Sequence, residues 1–255
     1  MWERKKLKAQ AKDVLRFSYW QAFLVSFVLS LISGGGGGSG VNFSLNLPSG
    51  TTDSGASIFA PSEWDLELWI PFIVIGIFIF AVVLLFSIAF RIFLGAPLEV
   101  GAFRFFKRSA EDIINLGDMG FSFVPGRYFN VVKAMLWRDL LTFLWFLLLI
   151  VPGIIKSFAY SMVPFILADN PGIGYKRALE LSNDMTRGHK LRMFVLALSF
   201  LGWIFLGILA LGIGVLFVLP YINATNVQLY RTLRQSAVEK GLTTREELNL
   251  DYPIQ

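Results

Sequence analysis

Four long apolar runs, separated by stretches that carry almost all of the charge, set the pattern of the chain. The first, around AFLVSFVLSLIS, predicts a helix near 17–34, within the roughly 17–25 residues that a membrane span needs. The second, LWIPFIVIGIFIFAVVLLFSIAF at 68–90, is uninterrupted. Its β-branched residues would suit a strand in water, but in lipid a run of this length must satisfy its own backbone, which a helix does. The third run, 131–168, would be about 57 Å long as one helix against a hydrocarbon core of about 30 Å. It therefore divides, and Pro152-Gly153 is the expected break, since proline suits a helix start and glycine permits the turn. The fourth, 193–230, is again too long for one span, and the glycines near Leu211 to Gly214 offer a second tight hairpin.

The pattern predicts an all-α polytopic membrane protein with about six transmembrane helices and amphipathic interfacial helices. The whole chain, 1–255, reads as a single integral-membrane domain. The spans fall at about 17–34, 68–90, 132–151, 153–169, 192–210 and 213–231. An outer loop covers 35–67, and segments 1–16, 91–131, 170–191 and 232–255 are cytoplasmic.

The polar stretches refine this. In MWERKKLKAQAKDVLR, Leu7, Ala11, Val14 and Leu15 recur at helical spacing among six basic residues, the pattern of a basic amphipathic helix on a membrane surface. Tyr19 and Trp20 follow, rings with one polar atom that prefer the interface. A basic start, an apolar run and small residues also make up a secretory signal peptide; the long helical basic region and the further spans favour a retained helix. The run GGGGGSG at 34–40 resembles an engineered linker but reads more simply as a native, solvated tether. APLEVGAFRFFKRSAEDIINL interleaves aromatics with Arg104, Lys107 and Arg108. A nucleic-acid patch is the competing reading, and a helix lying among headgroups is preferred. Trp20, Arg104, Lys107 and Arg108 are thus the candidate interfacial anchors.

Composition agrees with a membrane setting. Of 255 residues, 55% are hydrophobic and 16% charged, against about 25% charged in soluble domains, and mean hydropathy is +0.61. The absence of Cys excludes disulfides, thiolate metal sites and Cys nucleophiles, and the single His189 excludes a multi-histidine metal site. The distribution of charge then tests the six-span scheme. Segments 1–16, 91–138, 176–192 and 231–245 hold every Lys and Arg except Lys156, and 34–67 holds none. With both termini cytoplasmic, this is the positive-inside asymmetry, and it places the chain in the plasma membrane facing anionic inner-leaflet lipids.

Catalytic chemistry is hard to assemble. No G-x-S-x-G elbow, H-E-x-x-H, Walker A or dinucleotide fingerprint occurs, and Asp139 and Asp169 fall at expected span ends. No catalytic residue, cofactor or metal is expected. Polar residues within spans suggest a different site: Lys156, Tyr160 and Ser161 on the fourth span and Asn223, Thr225 and Asn226 on the sixth could line a polar cleft. The plainer reading is that such residues hydrogen-bond neighbouring helices. Lys156 itself lies four residues after Pro152, about 6 Å below the expected hairpin tip. Its ammonium either reaches the outer interface along its stem or serves as a counter-charge for a phosphate or carboxylate.

Three segments carry a resemblance: LKAQAKDVLRFSYWQAFLVSFVLSLISGGGGG, LLLIVPGIIKSFAYSMVPFILADNP and LELSNDMTRGHKLRMFVLALSFLGWIFLGILALGIGVLFVLPYINAT. Together they are similar to a bacterial integral-membrane family catalogued as domain of unknown function 975. That family is distantly similar to membrane domains of some glycerophosphodiester phosphodiesterases. The resemblance implies a native glycine run, a retained first span and lipid-related work, with no functional residues to carry over. The expected role is non-enzymatic: handling lipids or amphiphiles, or supporting the envelope. A small-solute or lipid transporter using the cleft, and a membrane docking subunit for an enzyme, are the alternatives. The expected partner is the lipid bilayer, with a second copy or another membrane protein as further candidates and no nucleic acid.

Overall fold

The computed structural model describes residues 3–32, 66–111, 113–209 and 214–250. The expected outer loop at 35–67, apart from its last two positions, and the tight turn near Leu211 lie outside the described residues. Among the described residues the chain is helical without strands: α1 (Arg4–Ile32), α2 (Leu66–Phe90), α3 (Ala96–Ser109), α4 (Tyr128–Leu148), α5 (Ile150–Ala159), α6 (Val163–Asp169), α7 (Tyr175–Thr186), α8 (Lys190–Leu209) and α9 (Gly214–Glu239). A π-helical turn (Arg91–Gly95) joins α2 to α3, and a 3-10 helix (Leu116–Phe123) precedes α4. Three stretches are long and apolar enough to cross a membrane: Ile70–Ser109, Ile150–Asp169 and Lys190–Leu209.

α2 shows no apolar face because it is apolar all round, and none of its most apolar stretch is covered by the rest of the protein. A helix of this kind belongs in lipid. Its one hydroxyl, Ser87 Oγ, donates to Val83 O at 2.7 Å. Where α2 passes into α3, Pro97 supplies no N–H to the preceding turn. The Phe93 carbonyl in that turn accepts instead from Tyr128 Oη at 2.8 Å.

α1 is bent at Ser18, whose backbone (φ −124°, ψ 18°) leaves the helical region while its hydroxyl donates to Val14 O at 3.0 Å. Such i−4 back-bonding bends helices. The apolar stripe of the basic half is not spent on lipid: Leu7, Ala11 and Leu15 are buried in the protein core.

α3 lies at the centre. Twelve of its fourteen residues are buried. Phe103 packs at a tilt on Phe165 of α6 (4.2 Å between ring centroids), which stacks on Tyr230 of α9 (5.2 Å). Gly101 lets the 3-10 helix approach so closely that a Cβ there would lie 2.2 Å from Met119 O.

The third apolar run does divide, but not at Pro152-Gly153. The backbone reverses at Leu149 (φ −161°, ψ 142°), and Pro152 sits in the first turn of α5, where its missing N–H costs nothing. A second break, not foreseen, separates α5 from α6 at Tyr160–Met162. Ser182 of α7 staples it, donating to Ala159 O at 2.7 Å and accepting from Met162 N at 3.2 Å. The expected 153–169 helix is therefore two short helices separated by a turn that Ser182 of α7 bridges.

The C-terminal segment folds back onto α7. Arg177 donates to both Glu247 carboxylate oxygens (2.7 and 3.1 Å) and to Leu242 O (2.8 Å), and Leu248 is fully buried. Hydrogen bonding from Arg177 holds the Glu247 carboxyl below its usual range. A depressed folded-state pKa contributes stability above the unfolded value, and that contribution disappears as pH falls through the folded value. Acidification below about pH 4 is therefore expected to speed hydrogen exchange in 242–250 before α3 or α6 is affected. The pair is partly exposed, so the effect is local and modest.

Candidate functional site

The polar cleft expected between the fourth and sixth spans does not assemble. Asn223 turns to α1, its amide donating to Ser26 Oγ at 3.0 Å. Thr225 donates to its own helix at Tyr221 O (2.7 Å), and Ser161 to Phe158 O (2.8 Å). Asn226 shares with Phe158, Met162 and Met193 a cavity of about 30 Å³, room for about one water. Lys156 is elsewhere, its ammonium 5.1 Å from the Trp145 ring and 5.7 Å from that of Tyr160. It also lies close enough to Lys190 to repel it. Lys156 therefore sits beside the basic α7–α8 connection, because the chain turns at Leu149 and α5 carries Lys156 back to that connection.

The candidate anchors are also redistributed. Trp20 is strongly exposed, but Arg104 and Lys107 are buried and Arg108 is largely so. Lys107 pairs with Asp169, whose carboxylate has no exposed surface. The same carboxylate accepts from Tyr230 Oη at 2.7 Å and from Arg234 at 2.9 Å. Arg104 donates to Ala168 O at 3.1 Å, so one of the last carbonyls of α6 is satisfied. Asp118 of the 3-10 helix bridges Arg108 (2.8 Å) and Arg104 (3.5 Å), and the Arg104 guanidinium lies 3.5 Å from the Phe121 ring centre. On the other side of α3, Glu99 pairs with Arg138 (3.0 Å), which also pairs with Asp139. The cations read as headgroup contacts are interior ties that hold α3 to α6 and the 3-10 helix and, through Asp169, to α9. Sequence reasoning missed Asp118 and Asp169 as their partners, and Tyr230 and Arg234 as the groups that share Asp169. The sequence carried no signal for it: in AFRFFKR the three cations share one side of the helix opposite the phenylalanines, the same pattern that an interfacial helix shows.

The surface site of greatest chemical interest is a groove of about 660 Å³ between α1, α8 and α9. Its body is aromatic: Tyr19, Trp203, Phe217 and Tyr221. Lys12 and Arg16 line it as well. Tyr19 donates to Phe217 O at 3.2 Å and so ties α1 to α9 at this point. Lys8, Lys12 and Arg16 are spaced by four residues and share one helix face. Lys8 reaches inward, over the Phe200 ring at 4.3 Å and to Ser199 O at 3.4 Å. Burial, with repulsion from Arg4 and Lys12, lowers its pKa from the ordinary lysine value. No carboxylate lines the groove. Sequence analysis read this helix as basic and amphipathic, for a lipid surface, without picking out the stripe that edges a groove within the protein. Among the described residues no cluster of His, Asp or Glu could hold a metal ion.

Fold and site together define an all-helical protein with three stretches long and apolar enough to cross a membrane, and with a charged interior built on α3. The family described as "Protein of unknown function (DUF975)" matches residues 68–237, well over half of the chain. The chain belongs to that family. No curated protein and no solved structure matches it, and similarity to glycerophosphodiester phosphodiesterase domains is not among the findings.

Proposed function

We propose that this is a non-enzymatic protein of the plasma membrane, with both termini cytoplasmic and an even number of crossings, that binds an anionic amphiphile in the groove between α1, α8 and α9. One observation carries the reading: a column of cations without a facing carboxylate borders a groove lined by aromatic rings. An amphiphile matches that split, its acyl portion on Trp203, Phe217 and Tyr221 and its anionic group on Lys12 and Arg16. The volume lies within the range of about 300–1,000 Å³ common for small-molecule sites. The positive-inside distribution supports the orientation, since it places the basic half of α1 beside the anionic leaflet. Transport through a cleft between α5 and α9 has less support, because side chains fill that space to about 30 Å³.

The test is the lipid that stays with the purified protein, identified and quantified by mass spectrometry. The double variant Lys12→Gln, Arg16→Gln is expected to retain anionic lipid about 30-fold more weakly, taking roughly 1 kcal/mol per basic residue. Lys12→Arg should retain it. Equal retention of zwitterionic and anionic lipid, unchanged in the double variant, would count decisively against the proposal.

A further inference from the structure

The α4–α5 hairpin presents a broad exposed apolar surface. Between Asp139 and Lys156 no residue is charged, and the single hydroxyl, Thr142, donates to Arg138 O at 2.8 Å. The tip is bare: Leu147 is 76% exposed, Ile150 71% and Val151 67%. Six spans would require each arm to cross the bilayer. The geometry points elsewhere, and we propose that this hairpin enters the hydrocarbon of the basic-side leaflet to about its midplane and returns without crossing. Its partner is the acyl chains of that leaflet. The proposal rests on the membrane reading above but not on the groove.

Both arms are too short to do otherwise. From Asp139 to Leu148 a helix rises about 14 Å, close to half of a hydrocarbon core of about 30 Å. The foot of this arm is marked by charge. Arg91 and Asp139 pair at 3.9 Å with side chains 44% and 41% exposed, a pair that would face lipid directly if α4 continued as a span. On the other arm, Lys156 lies about 9 Å from the tip, within reach of the same boundary by its stem. It stands beside Lys190, at the start of α8. Beyond Lys156 the chain does not run on through lipid: α5 ends at Ala159, and every residue of α6 is buried against protein. By composition Ile150–Asp169 could cross a membrane; the break at Tyr160–Met162 and the burial of α6 remove that option. Leu149, the only non-helical residue, donates to Trp145 O and accepts from Gly153 N, both at 3.1 Å, and Pro152 brings no N–H. A half-depth hairpin and a pair of spans return the chain to the same side, so the charge asymmetry is the same for both.

The absence of Cys makes the test direct. Single variants Leu147→Cys, Leu149→Cys and Val151→Cys of the full chain are placed in sealed vesicles, with Glu180→Cys on exposed α7 as the marker of the basic side. A membrane-impermeant maleimide is expected to label none of the three tip positions from either side, and all three once detergent is added. A nitroxide at 149 is expected to show greater collision with oxygen than with a water-soluble nickel chelate, and to be the deepest point of a scan from 139 to 156. Labelling of the tip from the side opposite Glu180→Cys means two crossings and overturns the proposal. Labelling from the same side means a hairpin lying outside lipid and overturns it equally. Release of the whole chain from membranes by alkaline carbonate would instead remove the membrane reading itself, a result distinguishable from both.

Discussion

Asp169→Ala is expected to destabilise the protein by about 3–5 kcal/mol, the range for breaking a buried ion pair from one side. The carboxylate has no exposed surface and is shared by Lys107, Tyr230 and Arg234. Removing it leaves two cations in the interior without a counter-charge and the Tyr230 hydroxyl without its acceptor. The side chains that would lose their partner come from α3 and α9, while the mutated position ends α6, so the damage is spread across the centre of the fold. Denaturation in a mild detergent, followed by circular dichroism, measures the loss. Asp169→Asn keeps an acceptor for Tyr230 but not the charge and should fall between wild type and Asp169→Ala. Adding Lys107→Met to Asp169→Ala should recover part of the loss, because an apolar side chain of similar length needs no counter-charge. If Asp169→Ala costs less than about 1 kcal/mol, water reaches the cluster and these ties are not buried pairs.

That cluster also shows where sequence reasoning reaches its limit. The periodicity and apolar runs gave helices throughout, and α2 could be placed almost to the residue because lipid-facing sequence is apolar without any long-range information. Places where the chain turns depend on partners. Pro152 marked a turn, but proline belongs after a reversal, inside the new helix, so the turn is at Leu149. Pro164 carried the same signal for α6 and was not read. The basic residues of α3 were the hardest case. Arg104, Lys107 and Arg108 occur in a stretch whose aromatic and basic residues alternate as they do in interfacial helices, and their acidic partners lie far along the chain, at Asp118 and Asp169. Lys156 shows the same limit: counted from the turn at Leu149 and not from Pro152, it lies three residues further from the tip.

Gly101→Ala should give the second large effect, a loss of about 1–3 kcal/mol by overpacking. A Cβ at this position would meet backbone atoms of the 3-10 helix: Met119 O at 2.2 Å, C at 2.7 Å and Cα at 2.9 Å. No rotamer change relieves a clash with backbone, so either α3 or the 3-10 helix must move. Moving the 3-10 helix displaces Asp118, one residue away, from Arg108 and Arg104, and two cations buried beside α3 lose their shared carboxylate. The cost of one methyl group thus combines strain with a weakened ion pair. Gly202→Ala is the control. It lies inside α8 with open space around its Cβ position, and an alanine there should stabilise the helix by roughly 0.5–1 kcal/mol. The two variants add the same methyl group to a helix, so an opposite sign of their shifts in denaturation midpoint isolates the close approach of α3 to the 3-10 helix. A further variant, Gly101→Ala with Asp118→Asn, should be less than additive, since both act on the same carboxylate.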